Sequence, residues 1–390
     1  MKNSELEALE FVREEDVKFV RLAFCDVLGR LKNVALAARE LPSAFERGFA
    51  FDPRGIAGFE GDDSRLLLRP DPATLAVLPW RPDRGRVVRM FCDIARVDGS
   101  PFEGDSRGVL KRAIADADAA GYRFRFGTRL EFYLFQLDEK GEPTRIPCDV
   151  GGYMDDYPDD KAENVRREIC LNLESMGFPQ ESSRHGSGPG QNRIDFGFVD
   201  ASTVAEQVGS FRAATRTIAG RNGYYADFSP TPLPERPGNA MGIAMAVVPK
   251  DGSQEERVSR RALNGLLAKA PEISLLLNPV VASFERARIE PRARAVEERL
   301  DADGRRVLEF CAPDAIANPY LVFASLIRAA TLGLENGAIV SEPSEIWQSP
   351  RSFEDAARLA EASDFVGSFV PRAFLRAIVS SAKESRDGLV

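Results

Sequence analysis

The chain has 390 residues, of which 44% are hydrophobic and 29% charged. This is the composition of a globular protein long enough for two or more domains. A formal net charge of −8 gives no basic footprint for nucleic acid. No apolar run reaches spanning length, and the acidic, amphipathic start of the chain does not look like a signal peptide. These features exclude nucleic-acid and membrane partners and favour a cytoplasmic protein that meets small molecules.

Cysteine and histidine usage narrows the chemistry further. The five cysteines are scattered without a C-x-x-C pair, which is typical of reduced, mostly buried thiols in a cytoplasmic chain. The chain contains a single histidine, His185. Counting therefore excludes a catalytic histidine pair and a multi-histidine metal site.

The first hundred residues predict a small, partly irregular unit. Residues 1–15 have the pattern of a short amphipathic helix, and the apolar runs that follow predict two strands joined by a turn at Asp26, Gly29 and Arg30. Frequent Pro, Gly and Asp in the middle of this region indicate loops. A further strand is predicted over residues 87–94.

The remainder predicts a larger unit of alternating helices and strands. Asp105 and Ser106 are a plausible N-cap for a helix over about 107–120, and an apolar strand is predicted over 124–135. Further helices are predicted over about 160–176, 201–222, 255–277 and 353–383.

One stretch stands out, ESSRHGSGPGQNRIDF over residues 181–196. Gly186, Gly188 and Gly190 form a tight glycine turn that leads into a strand at Ile194–Phe196. Such a turn allows the backbone to approach a ligand closely.

This stretch resembles the run E-x-x-H-H-E-x-x-P-G-Q-x-E-I-D-F of glutamine synthetases. His185, Gly188, Gly190 and Gln191 keep the frame and are the expected pocket residues. The segment PDAIANPYL, which ends at Leu321, is similar to another landmark of that family. The resemblance extends from about residue 17 to about residue 383.

The resemblance implies an α+β protein with the glutamine synthetase fold. Residues 1–100 are expected to form a β-grasp-like N-terminal domain. Residues 101–390 are expected to form a larger domain of the family's catalytic type, in which helices and a curved antiparallel sheet line the site. Members of this family form ring oligomers with each site between neighbouring subunits, so a homo-oligomer is expected.

The resemblance also assigns roles to retained residues. Glu131 and Glu309 fall on metal-ligand positions of the family. Asp26 falls on the acidic residue that helps to bind ammonium in the neighbouring subunit's site, and Arg286 falls on a substrate-binding arginine.

Other ligand positions of the family are replaced. Arg129, Gly186, Arg193 and Gly242 stand where metal ligands are expected, and Cys311 stands where an arginine contacts substrate and phosphate. Two of the four metal-position replacements introduce a fixed positive charge where a dication should bind. Arg129 is therefore expected to pair with Glu131, Glu309 or another carboxylate of the pocket.

The segment that carries phosphate-binding arginines in the family is shortened here. After Arg286 the chain reaches its next landmark, at residues 307–310, too early. Arg288, Glu290, Arg292 and Arg294 lie in this segment without an assigned role.

The first functional hypothesis is a catalytically silent relative of glutamine synthetase, because a metal site needs ligand number and geometry together. Such a pseudoenzyme would act as a regulatory or assembly subunit, with no cofactor expected, and its arginines would bind an anionic small molecule. A mixed ring with an active paralogue is a further expectation, in which this chain lends Asp26 to its neighbour.

The alternative is a divergent ATP-dependent carboxylate–amine ligase, of the glutamine synthetase or γ-glutamylamide synthetase type. This alternative requires ATP and Mg²⁺, and therefore new carboxylates in the pocket. Asp195, Asp227 and Glu285 are the candidates.

Overall fold

The computed structural model describes residues 2–59, 65–81, 84–252, 254–290, 296–301, 303–337 and 349–386. Arg292 and Arg294, noted in the shortened arginine segment, lie outside the described residues. Within this part of the chain, no helix is both long and apolar enough to cross a membrane.

The described residues of the N-terminal part form two α-helices and six strands. They are α1 (Asn3–Glu14), β1 (Phe19–Cys25), β2 (Leu31–Ala37), α2 (Leu41–Arg47), β3 (Phe49–Phe51), β4 (Leu66–Pro70), β5 (Ala76–Val77) and β6 (Val87–Arg96). The sheet order is β2-β1-β6-β4-β3, with β5 also paired to β6. Only the central pair, β1 and β6, is parallel. Helix α1 and the β1–β2 hairpin confirm the predictions for this region.

The C-terminal part contains a second sheet and most of the helices. Its elements are α3 (Ser106–Ala119), β7 (Tyr122–Leu137), β8 (Pro143–Pro147), α4 (Glu163–Ser175), β9 (Gln180–His185), β10 (Gln191–Asp200), α5 (Ala201–Arg221), β11 (Tyr224–Asp227), β12 (Met241–Pro249), α6 (Glu255–Leu277), α7 (Val281–Ile289), β13 (Val296–Leu300), β14 (Arg306–Phe310), α8 (Pro319–Asn336), α9 (Phe353–Ala362), α10 (Asp364–Gly367) and α11 (Arg372–Arg386). The predicted helices and the long strand are confirmed, except that the helical segment predicted over 353–383 is divided into α9, α10 and α11. Asp105 caps α3, because its carboxylate accepts the Arg107 N–H.

The second sheet has the order β13-β14-β12-β7-β10-β9 and is antiparallel throughout, with β8 and β11 also paired to β7. Because side chains alternate between the two faces of a strand, Leu130, Phe132, Ile194 and Phe196 point into the main core. Their odd-numbered neighbours on β7 and β10 lie on the opposite, polar face. This pleat places the expected site residues together.

The β1–β2 turn connects the two parts of the chain. Asn318 caps α8 by accepting the N–H groups of Tyr320 and Leu321, and its side-chain amide donates to the carbonyl oxygens of Asp26 and Val27. Gly29 approaches so closely that a Cβ atom there would lie 2.8 Å from the Asn318 Cα. The turn is therefore seated on the start of α8.

Candidate functional site

Charged side chains alternate across the polar face of the second sheet. In the pairing of β7 with β10, Arg129 lies opposite Asp195 and Glu131 lies opposite Arg193. Each arginine is therefore the register partner of a carboxylate, so opposite charges alternate over this face. The register places the carboxylates of Glu131 and Asp195 on one surface with the replaced metal positions, Arg129 and Arg193.

Arg129 forms a two-pronged ion pair with Glu309. Its Nη1 donates to Oε2 at 3.0 Å, and its Nη2 donates to Oε1, an oxygen that Arg299 also contacts. Burial alone would raise the pKa of Glu309, but the bonds from Arg299 and Arg129 outweigh it and hold the pKa below its usual range. The prediction that Arg129 pairs with a pocket carboxylate is confirmed, with Glu309 as the partner.

Asp195 is held by two further arginines. Arg193 Nε donates to Oδ1 at 2.6 Å and its Nη2 donates to Oδ2 at 3.0 Å, while Arg184 Nη1 donates to Oδ2 at 3.1 Å. The other candidate ligase carboxylates have different surroundings. Asp227 pairs with Arg145, and Glu285 is exposed on α7. The three carboxylates do not form a common cluster.

The glycine turn is fixed by Gln191. The Gln191 side-chain oxygen accepts the N–H groups of Ser187 and Gly188, and its amide donates to the Gly238 carbonyl. A Cβ atom at Gly186 would lie 2.7 Å from the Gln191 side chain. The space beside Gly186, at a replaced metal position, is therefore filled by Gln191.

His185 also holds the glycine turn in place. Its Nδ1 donates to the Gly186 carbonyl at 2.9 Å, and its Nε2 lies 3.0 Å from Asp149 Oδ1, which also accepts the Gly190 N–H. Burial alone would lower the pKa of His185, but the bond to Asp149 and the bond to Gly186 outweigh it and raise the pKa. The histidine is thus a positioning residue for the backbone of the turn.

Asp149, Asp160 and His185 form the one group of potential metal ligands found among the described residues. Their geometry does not fit a metal ion. Both nitrogens of His185 are already engaged with oxygen atoms, Nδ1 with the Gly186 carbonyl and Nε2 with the Asp149 carboxylate. Asp160 forms a bidentate ion pair with Arg166. Sequence reasoning missed this network, for which the only signal was a lone histidine that needs a buried partner.

Asp26 and Arg286, which the resemblance assigns to ligand binding, are both buried and have partners within the chain. The Asp26 side chain is 1% exposed, accepts the Arg30 N–H at 2.9 Å and lies 3.7 Å from the Lys32 ammonium, so it stabilises its own turn. The Arg286 side chain is fully buried, and its guanidinium donates to Asp314 and to the Cys311 and Ala312 carbonyls. Both side chains are therefore engaged with their own chain, and the ligand-binding roles that the resemblance assigns to them stay predictions.

Gly242 and Cys311 line the space around Arg129. Gly242 lies opposite Arg129 in the β12–β7 pair, and a Cβ atom there would lie 3.2 Å from the Arg129 Cβ and 3.5 Å from the Cys311 sulfur. The small residue at position 242 therefore leaves room for the arginine side chain. The replacements at positions 129 and 242 are sterically matched.

The family's divalent cations do not fit this face. Magnesium requires about six oxygen ligands in near-octahedral geometry. Here the carboxylate oxygens of Glu309 and Asp195 accept from guanidinium groups, and Glu131 Oε2 accepts the Ala240 N–H at 3.0 Å. Gly186 and Gly242 offer no side-chain ligand, and the guanidinium of Arg129 would repel a dication.

Family models match nearly the whole chain. The model described as "Glutamine synthetase, beta-Grasp domain" matches residues 16–97, and "Glutamine synthetase, catalytic domain" matches residues 103–384. These matches confirm the expected fold, with a β-grasp domain followed by a domain built on a curved sheet and helices.

Curated relatives and solved structures agree with the family models. The glutamine synthetase of Methanosarcina mazei is 39% identical over 366 residues, covering 87% of this chain and 81% of the relative. That of Clostridium saccharobutylicum is 37% identical over 371 residues, covering 88% and 82%. The solved structure titled "Apo GmaS without ligand" has a TM-score of 0.85 at 24% identity, covers 98% of this chain and 97% of that one, and supports the fold.

The names of the relatives bear on the two functional hypotheses. They favour an active ligase over catalytic silence, and so support the alternative hypothesis better than the first. The ion pairs on the polar face bear on a different question, namely which chemistry these residues can support.

Proposed function

Because this chain belongs to the glutamine synthetase family, we propose that it holds a small carboxylate on the polar face without a divalent metal. In this proposal the chain does not run the family's metal-dependent ligation and serves as a regulatory or assembly subunit. The observation that carries the proposal is the two-pronged pair between Arg129 and Glu309.

The arginines of this face suit carboxylate recognition. The side chains of Arg129, Arg184 and Arg193 are 28%, 20% and 18% exposed, so each is partly open to solvent. A guanidinium carries five N–H donors, and the ion pairs described above engage at most two of them in each arginine. The remaining donors can bind a planar carboxylate in a charge-assisted manner.

Calorimetry in the presence of EDTA tests this proposal, with glutamate as the probe. We expect glutamate to bind without metal and Arg129→Gln to weaken binding roughly tenfold or more, since hydrogen bonds to charged groups contribute about 1.5–3 kcal/mol. The matched control is Arg145→Gln, which removes an arginine that is paired with Asp227 and contacts neither Glu309 nor Asp195 in the described structure. Absence of glutamate binding, or equal binding by both variants, contradicts the proposal.

A divergent carboxylate–amine ligase is the second candidate. It is favoured by 39% identity to a named glutamine synthetase over 87% of this chain. The test is ADP release from ATP with glutamate, with either Mg²⁺ or Mn²⁺, and with ammonium or a series of alkylamines. Turnover that depends on both glutamate and an amine establishes the ligase and overturns the first proposal.

We also propose a cytoplasmic homo-oligomer, as expected for this family. Native mass spectrometry of the purified chain measures the subunit number. Mixing with an intact synthetase from the same source tests a hetero-oligomer. The burial of the Asp26 carboxylate argues against a lent ammonium-binding residue, so Asp26→Ala is expected to leave the partner's rate unchanged.

A further inference from the structure

The ion pair on the polar face has the geometry of an arginine with a bound carboxylate ligand. Arg129 Nη1 and Nη2 both donate to the Glu309 carboxylate, so Glu309 occupies one complete side of the guanidinium. A free carboxylate binds an arginine in the same two-pronged way. Glu309 therefore lies where an incoming carboxylate would make its strongest contact with Arg129.

Glu309 also has a second arginine partner. Arg299 Nη2, on β13, donates to Glu309 Oε1, and the Arg299 side chain is 40% exposed. The side chains of Arg129 and Glu309 are 28% and 12% exposed, so the pair lies at the surface of the sheet. If Glu309 lost its bonds to Arg129, its charge would remain paired with Arg299. Separation of the pair would therefore not leave a buried carboxylate without a partner, which is the main cost of breaking such a pair.

Two carboxylates cannot bind Arg129 side by side without repulsion. The guanidinium is small and planar, so its remaining donors lie close to the two that Glu309 holds. A second carboxylate bound there would lie near the Glu309 charge, and like charges repel strongly at a partly buried position. Ligand binding and the pairing of Arg129 with Glu309 therefore oppose each other.

We infer that Glu309 is an internal competitor, which a bound carboxylate displaces from Arg129 toward Arg299. This inference rests on the proposed metal-free binding of a carboxylate and adds the residue that regulates that binding. Only a ligand that makes two bonds to Arg129 replaces those lost with Glu309, so the displacement favours planar carboxylates over spherical anions such as chloride. Glu309 thereby determines both the affinity and the selectivity of the polar face.

A double-mutant cycle tests the inference, with glutamate titrated by calorimetry in the presence of EDTA. Glu309→Gln removes the competing charge and is expected to tighten glutamate binding roughly tenfold. Arg299→Gln removes the alternative partner of Glu309 and is expected to weaken binding by a similar factor. In the Glu309→Gln background, Arg299→Gln should have no effect, because no charge remains at position 309. An equal effect of Arg299→Gln in both backgrounds would overturn the inference.

Glu298→Gln is the matched control for a general effect of net charge. Glu298 precedes Arg299 on β13, pairs with Arg306, and lies on the opposite face of the sheet because side chains alternate along a strand. This variant should bind glutamate as the parent does. Binding by Glu298→Gln that is as tight as binding by Glu309→Gln would overturn the inference.

The outcomes separate this inference from the proposed function. If the parent binds glutamate and Glu309→Gln binds it no more tightly, the inference is overturned and the proposed function stands. If only Glu309→Gln binds, the internal competitor is supported and the proposed function fails for the parent protein. Binding by neither refutes both. Should Glu309→Gln not fold, the more exposed Arg299→Gln decides alone, and unchanged binding by that variant overturns the inference.

Discussion

Tyr133 leaves no room for a side chain at position 188. A Cβ atom on Gly188 would lie 2.0 Å from the Tyr133 hydroxyl, which is itself held by a 2.6 Å bond to the Pro237 carbonyl. We therefore expect Gly188→Ala to lower the free energy of unfolding by roughly 1–3 kcal/mol, measured by urea denaturation.

Two variants separate this steric effect from a general cost of losing glycine. Gly220→Ala is the matched control, because nothing lies within 4 Å of a Cβ atom at that helical position. It should be neutral or stabilise by up to about 1 kcal/mol. Removing the hydroxyl with Tyr133→Phe should restore part of the loss in Gly188→Ala. A fully stable Gly188→Ala would refute the contact.

The pair of His185 and Asp149 predicts a pH dependence of stability. The pKa of His185 is raised above its usual 6.5. Its contribution is therefore fully present below about pH 6.5 and is lost as the pH rises through the higher folded value. We expect the free energy of unfolding to fall over that window in the parent protein, and His185→Gln to lack this slope.

Asp149 gives the opposite dependence and serves as an internal check. Burial alone would raise its pKa, but the bonds from His185 and from the Gly190 N–H hold it below the usual value of 3.8. Its contribution is present above about pH 3.8 and is lost as the pH falls through the lower folded value. Asp149→Asn should therefore flatten the acid limb. An unchanged alkaline limb in His185→Gln would show that another group titrates.

At the scale of strands, paired charges on β7 and β10 predict how metal binding could be regained. Arg129→Glu with Arg193→Glu removes two guanidiniums and adds two carboxylates beside Glu131 and Glu309. We expect the double variant to bind Mn²⁺ measurably by electron paramagnetic resonance, whereas the parent does not. Arg129→Gln with Arg193→Gln is the control that removes charge without adding ligands.

A third substitution, Gly186→Glu, would add another carboxylate but is expected to destabilise the protein. Gly186→Glu must displace Gln191, which holds the N–H groups of Ser187 and Gly188. Adding it to the double variant should lower stability by roughly 1–3 kcal/mol through overpacking. Unaltered stability would mean that the turn tolerates a side chain there. Mn²⁺ binding by the parent protein would instead contradict the account of the polar face.

The elements of this fold were more predictable from sequence than the contacts between them. Helix α6 has the predicted bounds, and the N-cap at Asp105 was readable because capping is local. That Arg129 pairs with a pocket carboxylate followed from a charge reversal in a known frame, but the choice of Glu309 over Glu131 needed the structure. The partners of His185 did not follow, because Asp149 lies 36 residues away and only the packed structure brings it near. The burial of Arg286 likewise depends on Asp314, on another segment.

At the scale of the whole molecule, Asn318 connects the C-terminal part of the chain to the N-terminal part. Asn318→Asp keeps the capping acceptor for α8 but loses the donor to the Asp26 and Val27 carbonyls. We expect it to lower the free energy of unfolding by roughly 1–3 kcal/mol. Asn318→Ala also loses the cap and should cost about 1 kcal/mol more. Equal stability of the aspartate variant and the parent would show that the amide contributes nothing to the junction.

The contact between the β1–β2 turn and the start of α8 also restricts how segments can be exchanged between members of this family. Cys25 and Val27 belong to the main core of the second part of the chain, although they are encoded near its start. An exchange of the first hundred residues with those of a relative would bring a different β1–β2 turn against Asn318, where Gly29 now makes a close contact. Recombination at the apparent boundary near residue 100 should therefore yield insoluble chimaeras unless the helix-capping loop travels with the hairpin. The two segments that must fit each other are separated by almost 300 positions of sequence.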